Sequence, residues 1–175
     1  MRLLKPVLLA AFALLTINVA QAQPVAQARA DALDAYARAA PQLGAQTMGV
    51  DTRAYADALQ YGRFVSGHWG GEIALDIAEA QDKSGACARF AAYVRIPPEN
   101  GRVRLVLCPQ FSSTGADALR RLTMLHEMVH VVAGPDECRA MAFAALVEQL
   151  AYGAYTPVDR YWQANDCARS SFSLP

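Results

Sequence analysis

The spacing of apolar residues predicts two consecutive helices in the second half of the chain. From Thr114 to Val132, apolar residues recur at helical spacing and no proline interrupts them. Thr114 is a suitable N-cap, and Ala133-Gly134-Pro135 should end this helix. The next helix is predicted from Pro135 to Ala151, because its apolar residues also form one stripe. The stripe consists of Ala140, Phe143, Ala144, Val147 and Leu150.

The first part of the chain predicts two more helices and then three strands. The helices are Gln23 to Ala40, ending at Pro41, and Asp51 to Phe64. The strands are Glu72 to Ala78, Ala88 to Arg95 and Arg102 to Leu107. The last two strands should form a hairpin around Pro97-Pro98-Glu99-Asn100-Gly101, a loop longer than the tight hairpin types. This order of elements predicts an α+β fold with N-terminal helices, a small antiparallel sheet and then the two helices.

The N-terminus has the features of a secretory signal peptide, predicted over Met1 to Ala22. Arg2 and Lys5 precede an apolar run that ends in the small-x-small triplet Ala20-Gln21-Ala22. Cleavage there leaves residues 23–175, a length suited to a single domain. The expected location is secreted or periplasmic, with no membrane span after cleavage.

Charge excludes one broad class of function. The chain has 16 Lys and Arg residues against 16 Asp and Glu residues. No basic run or basic stripe interleaved with aromatic residues occurs, so nucleic-acid binding is not expected.

We expect the protein to be a monomer.

Four cysteines lie in the predicted mature chain, at Cys87, Cys108, Cys138 and Cys167. An even number in an exported protein predicts two disulfides, and four cysteines allow three pairings. We favour Cys87–Cys108, which would join the two arms of the hairpin, and Cys138–Cys167, which would tie the last helix to the C-terminal tail.

The motif that can support chemistry is His126-Glu127-Met128-Val129-His130, which lies in the last turns of the helix predicted from Thr114 to Val132. Positions i and i+4 share one helix face, so both imidazoles can bind one zinc ion. Glu127 would then lie beside a zinc-bound water as its general base. The motif predicts a zinc site and a hydrolytic function.

A catalytic zinc ion usually has three protein ligands and one water, so one further donor is needed. Asp136 and Glu137 follow the Gly134-Pro135 turn, which would bring the second helix back beside the first. Either carboxylate could instead only stabilise the positive N-terminus of that helix. Three other donors remain open: His68, Glu148 and Cys138.

Three segments of the chain together resemble a peptidase family. They are Leu107-Cys108-Pro109-Gln110-Phe111, the His-Glu-x-x-His helix, and Gly134-Pro135-Asp136-Glu137. Over roughly Cys87 to Cys167 they are similar to the aspzincins, the deuterolysin and peptidyl-Lys metalloendopeptidase group. The resemblance implies a zincin-like fold, a zinc-dependent endopeptidase activity, and Glu137 at the position of the family's Asp ligand.

The chain departs from the aspzincin pattern at three places. Pro135 replaces a Thr, Glu137 replaces the Asp, and Ala140-Met141 falls where the family has Tyr-Gly. The family's tyrosine, which helps to stabilise the transition state, therefore has no match in this chain, and no motif identifies a substitute. The candidates are Tyr152, Tyr155 and Tyr161.

The sequence therefore predicts a secreted zinc metallopeptidase in which Glu127 activates water and a peptide is the substrate. The peptide would pair with an exposed strand, for which Arg102 to Leu107 is a candidate edge. A lysine-selective pocket would need a carboxylate, and Asp159 and Asp166 are the late candidates. The alternatives are a zincin-like binding protein without turnover and a disulfide-linked structural protein of the cell envelope.

Overall fold

The computed structural model describes residues 16–175, with side chains from residue 24 onward. The helices are α1 (Thr16–Ala39), α2 (Thr52–Tyr61), α3 (Asp117–Ala133), α4 (Glu137–Tyr152) and α5 (Asp159–Ala164). The strands are β1 (Gln46–Thr47), β2 (Val50–Asp51), β3 (Arg63–Val65), β4 (Glu72–Glu79), β5 (Ala92–Glu99) and β6 (Arg102–Leu107).

Both helices predicted in the N-terminal part are present, but their end points differ from the predicted ones. Residues 1–15 of the predicted signal peptide lie outside the described residues, and Thr16 to Ala22 belong to α1. Helix α2 begins after Asp51, whose carboxylate accepts hydrogen bonds from the backbone N–H groups of Arg53 and Ala54. It ends at Gly62, earlier than predicted, because Gly62 adopts the left-handed conformation and the chain then enters β3. Within residues 16–175, no helix is long and apolar enough to cross a membrane.

The main sheet has four strands in the order β3-β4-β6-β5. The prediction of an antiparallel sheet is wrong for the central pair, since β4 and β6 run parallel, from Ala74↔Arg102 to Glu79↔Leu107. The chain reverses direction after β5, and the returning strand β6 pairs with β4 on one side and with β5 on the other. Arg102 to Leu107 is therefore a central strand and not a candidate edge. The free edges belong to β3 and β5.

The β5–β6 hairpin is tighter than expected. Glu99 pairs with Arg102, so only Asn100 and Gly101 form the turn, and both have positive φ. The predicted loop residues 97–99 belong to β5, where the pairing register is interrupted between Arg95 and Glu99. The predicted start at Ala88 is also wrong, because residues 85–88 form a 3-10 turn.

Both favoured disulfides are present, Cys87–Cys108 and Cys138–Cys167. The first closes the open end of the hairpin, where Ala92 pairs with Leu107. The second joins the first turn of α4 to the segment after α5. Two such bonds indicate an oxidising compartment.

Helix α3 lies at the centre of the molecule. It packs against α1, α2 and α4 and against strands β5 and β6. The buried Tyr55 hydroxyl of α2 donates a hydrogen bond to the carbonyl oxygen of Leu125, at 2.8 Å. From Met124 to Ala133 every residue of α3 is buried, so neighbouring elements hold the part of the helix that bears the His-Glu-x-x-His motif.

Candidate metal centre

Helix α3 and the turn after it set the orientation of both histidines. The helix begins at Asp117 with Ala116 as N-cap, so the prediction of Thr114 as N-cap is wrong. It ends at Gly134, as predicted, where φ is +89° and ψ is −168°. The Gly134 carbonyl oxygen accepts a hydrogen bond from His130 Nδ1 at 2.9 Å. That bond leaves the Nε2 lone pair of His130 free, which is the arrangement that metal-binding histidines use.

The turn after Gly134 brings one of the two candidate carboxylates to the histidines. Glu137 Oε2 lies 3.1 Å from His126 Nε2 and 3.3 Å from His130 Nε2, and the two Nε2 atoms are 3.0 Å apart. Asp136 does not reach this point. Its carboxylate is the N-cap of α4 and accepts a hydrogen bond from the backbone N–H of Arg139, at 2.9 Å.

The three converging atoms have the spacing that a metal ion requires. Ligand atoms at about 2.1 Å from a tetrahedral ion lie about 3.4 Å from one another. The observed triangle has sides of 3.0 to 3.3 Å. His126, His130 and Glu137 could therefore hold a metal ion through two nitrogens and one oxygen.

Tyr161 of α5 is the fourth member of the cluster. Its hydroxyl donates a hydrogen bond to Glu137 Oε2 at 2.6 Å, and its ring meets the His126 ring edge-on, with centroids 5.6 Å apart. The other late tyrosines do not join the site: Tyr152 lies beside Asp34 and Arg121, and Tyr155 packs against the core.

No motif in the sequence identified Tyr161 among the three late tyrosines. The signal that could have found it is the Cys138–Cys167 pairing. This disulfide joins the residue next to Glu137 to the segment just after α5, and so holds α5 beside the first turn of α4.

The remaining ligand candidates have other roles. His68 packs its ring edge-on against Trp69 and lies against Gly134. The φ of +89° at Gly134 favours glycine, and a Cβ there would also lie 2.8 Å from His68 Nε2, so a larger residue would have to displace the imidazole. Cys138 is used in a disulfide. Glu148 is buried at the far end of α4, where Arg121 Nε and the Thr156 backbone N–H donate hydrogen bonds to its two oxygens.

The electrostatics of the cluster follow from burial and from these hydrogen bonds. Burial raises the pKa of Glu127, against the opposing effect of the neighbouring imidazoles. Burial would also raise the pKa of Glu137, but its contacts with His126, His130 and the Tyr161 hydroxyl outweigh burial and hold that pKa well below its usual range. Burial and the bond to Glu137 raise the pKa of Tyr161. Glu137 is thus ionised, as a metal ligand must be.

A cleft of about 730 Å³ opens beside His126 and Glu127. It is lined by one face of α3, by the chain from Arg89 to Ala92, where edge strand β5 begins, and by Met141 of α4. The segment from Pro157 to Tyr161 completes the lining. Glu127 therefore faces a space large enough for a substrate, at the position next to the histidines.

No model of a protein family, no curated protein and no solved structure matches this chain. The resemblance to the aspzincins therefore stays a prediction from the three sequence segments. What the protein does has to be inferred from the site itself.

Proposed function

We propose that this protein is a zinc-dependent metalloendopeptidase exported from the cell. The observation on which the proposal rests is the convergence of His126, His130 and Glu137 next to a buried Glu127 that faces a cleft. Two histidines and one carboxylate match the ligand set of catalytic zinc sites, and His126 and Glu127 line the adjoining cleft.

The donor set favours zinc over the other common ions. Magnesium and calcium prefer all-oxygen sites with six or more ligands, whereas two of the three donors here are imidazole nitrogens. When bound, zinc would supply a Lewis acid that acidifies a water molecule and polarises a carbonyl group.

The roles of the chain's own residues follow from their positions. Glu127 would accept the proton of the attacking water and deliver it to the leaving amine. The Tyr161 hydroxyl, next to Glu137, would donate a hydrogen bond to the substrate oxygen that gains negative charge. Tyr161 would thereby replace the tyrosine that the aspzincin pattern has at Ala140-Met141.

A peptide substrate is favoured by the free edge of β5. The carbonyl oxygen of Ala91 accepts a hydrogen bond from Cys108 N at 2.9 Å, and Ala92 is paired with Leu107. In an antiparallel pair, hydrogen-bonded and non-hydrogen-bonded positions alternate, so the backbone groups of Ala92 and Val94 point away from β6. Ala92 also lines the cleft. An extended peptide could pair with this edge, as in other cases of strand addition.

The test combines metal analysis with cleavage of a mixed peptide library. The purified protein should contain one zinc ion per chain, and His126→Ala and His130→Ala should lose it. Glu127→Gln should keep zinc and lose cleavage, and Glu99→Gln on the exposed hairpin is the matched control that should change neither. Full zinc occupancy in both histidine variants would overturn the metal site.

The second candidate function is metal or peptide binding without turnover. Ala140-Met141 at the position of the family's Tyr-Gly favours it. A wild-type protein that binds zinc but cleaves no peptide, in parallel with Glu127→Gln, would support this alternative.

A further inference from the structure

The cleft beside the candidate metal centre has an apolar section. We define this apolar groove by five side chains from four parts of the chain: the segment before β5, helix α3, helix α4 and the segment before α5. They are Phe90, Leu119, Leu122, Met141 and Val158. The groove begins beside His126 and Glu127 and continues toward the N-terminal end of α3.

The groove has the dimensions of a short peptide. Leu122 lies about one helical turn before His126 on the same face of α3, and Leu119 lies about two turns before it, roughly 10 Å along the helix axis. An extended chain rises about 3.3 Å per residue, so this length spans about three residues. The free edge at Ala92 lines the same cleft and offers backbone groups for pairing.

The exposed apolar side chains also mark the groove. Among the side chains that the structure describes, five large apolar ones are exposed, and two of them are Leu119 at 52% and Phe90 at 40%. Both stand at this cleft. Arginine side chains lie over the rings of both Tyr152 and Phe90, but only Phe90 shares a cleft with a second exposed apolar side chain, Leu119. Exposed apolar residues clustered at a cleft are typical of a binding site.

Charged side chains at the cleft argue against a basic substrate residue. Besides Glu127, the only carboxylate among the described residues that line it is Asp159, which is exposed and lies in the first turn of α5. Arg89 and Arg160 line the same cleft. Asp166 is paired with Arg169 at 3.2 Å and is not part of the lining. A lysine side chain in the groove would therefore lose water without gaining a buried carboxylate other than Glu127, which the proposed reaction uses.

We propose that the apolar groove is the specificity subsite of the enzyme and takes an apolar side chain, such as leucine, next to the scissile bond. This assignment rests on the proposed peptidase function and names the substrate class of that site. Leu119 and Phe90 are its specificity-determining residues, since they contact the substrate side chain and take no part in metal binding.

The experiment uses blocked hexapeptides that differ only in having leucine, lysine or glutamine at one position, scanned along an alanine background. Cleavage is measured with the wild-type zinc protein, and binding is measured with Glu127→Gln. Leu119→Asp and Phe90→Asp are made in both backgrounds. Val65→Asp is the matched control, because Val65 is 73% exposed on β3 and is not part of the cleft lining.

We expect the leucine peptides to be cleaved and bound best. Leu119→Asp should lower kcat/KM for them about tenfold, and should raise it for lysine peptides, because the new carboxylate lies in the groove. A merely structural effect would lower both. Position 119 is in the first turn of α3, where a carboxylate is compatible with the helix. Val65→Asp should match the wild type.

The outcomes separate this assignment from the peptidase proposal. Preferential cleavage at lysine, with leucine peptides unaffected by Leu119→Asp and Phe90→Asp, would overturn the groove and leave the peptidase standing. Absence of cleavage, together with leucine-selective binding that Leu119→Asp abolishes, would overturn the peptidase and support the groove. Absence of both binding and cleavage would overturn the groove assignment.

Discussion

The two ends of α4 each bear a glutamate, and the two glutamates do different things. At the N-terminal end, Glu137 meets the Nε2 atoms of two histidines and the hydroxyl of Tyr161. At the C-terminal end, Glu148 is fully buried and its oxygens accept hydrogen bonds from Arg121 and from the backbone of Thr156. Both residues are candidate ligands in the sequence.

The difference shows that the chemistry of the partners decides the role, and burial does not. Glu148 is more buried than Glu137, yet a guanidinium and a backbone N–H can only donate hydrogens and leave no room for a cation. The partners of Glu137 include two imidazole nitrogens that can each offer a lone pair to a metal. Glu148 is therefore a structural carboxylate, which ties α4 to α3 and to the segment that leads into α5.

The largest effect is expected from removing the carboxylate at the N-terminal end. Glu137→Ala should lower metal affinity about 1,000-fold, roughly 4 kcal/mol, because one of three protein ligands is lost from a site whose total binding energy is about 10 kcal/mol or more. Competition titration with a chelating dye measures this. If Glu137→Ala binds zinc as tightly as the wild type, the assignment of the third ligand is wrong.

The second largest effect is expected at the C-terminal end of α4, where it should change the stability of the fold and not metal affinity. Glu148→Gln should lower the free energy of unfolding by about 3 kcal/mol, since it leaves the mostly buried Arg121 without its countercharge. Denaturant unfolding measures this, with the exposed Glu99→Gln as the control that should change little. The folded variant should still bind one metal ion. Loss of the metal from a folded Glu148→Gln protein would contradict the contrast between the two ends.

A smaller effect is expected from the hydroxyl that links α5 to the site. Tyr161→Phe should keep the metal and reduce kcat about 100-fold, close to 2.7 kcal/mol, because one hydrogen-bond donor to the developing negative charge is removed. Steady-state kinetics with parallel metal analysis measures this. Tyr152→Phe is the matched control, and an equal loss in both variants would remove the special role of Tyr161.

The smallest effect is expected from Asp136, the neighbour of Glu137 at the start of α4. Asp136→Ala should lower the free energy of unfolding by about 1 kcal/mol, because α4 loses its N-cap, and should leave metal affinity unchanged. Thermal unfolding and metal titration together measure it. A large loss of metal in Asp136→Ala, with Glu137→Ala unaffected, would exchange the roles of the two neighbours.

Features set by neighbouring residues could be predicted from the sequence. The helical spacing of α3, its end at Gly134 and the convergence of His126, His130 and Glu137 all depend on contacts within one helix–turn–helix unit. Both favoured disulfides are also present in the structure. In this part of the chain, the helical spacing of apolar residues and the glycine at the turn are enough to predict the local structure.

Features set by distant residues could not be predicted. The position of β6 between β4 and β5 depends on which strand of the hairpin pairs with β4, and the alternation of apolar residues within each strand does not decide this. The position of Tyr161 beside Glu137 depends on the Cys138–Cys167 disulfide and on the irregular segment before α5. No pattern in the neighbouring sequence therefore identifies it. The hairpin loop was predicted too long because Pro97 and Pro98 favour a loop, and edge strand β5 tolerates them next to a register shift.

The short sequence distance between the metal ligands has a consequence for the order of assembly. His126 and Glu137 are 11 positions apart, whereas Glu137 and Tyr161 are 24 apart and Cys138 and Cys167 are 29 apart. Closing a short loop costs less chain entropy and happens sooner than closing a long one. We therefore expect the α3–turn–α4 unit to gain metal affinity before α5 docks. The candidate metal site would then form first, and Tyr161 would join it only once the Cys138–Cys167 disulfide had formed.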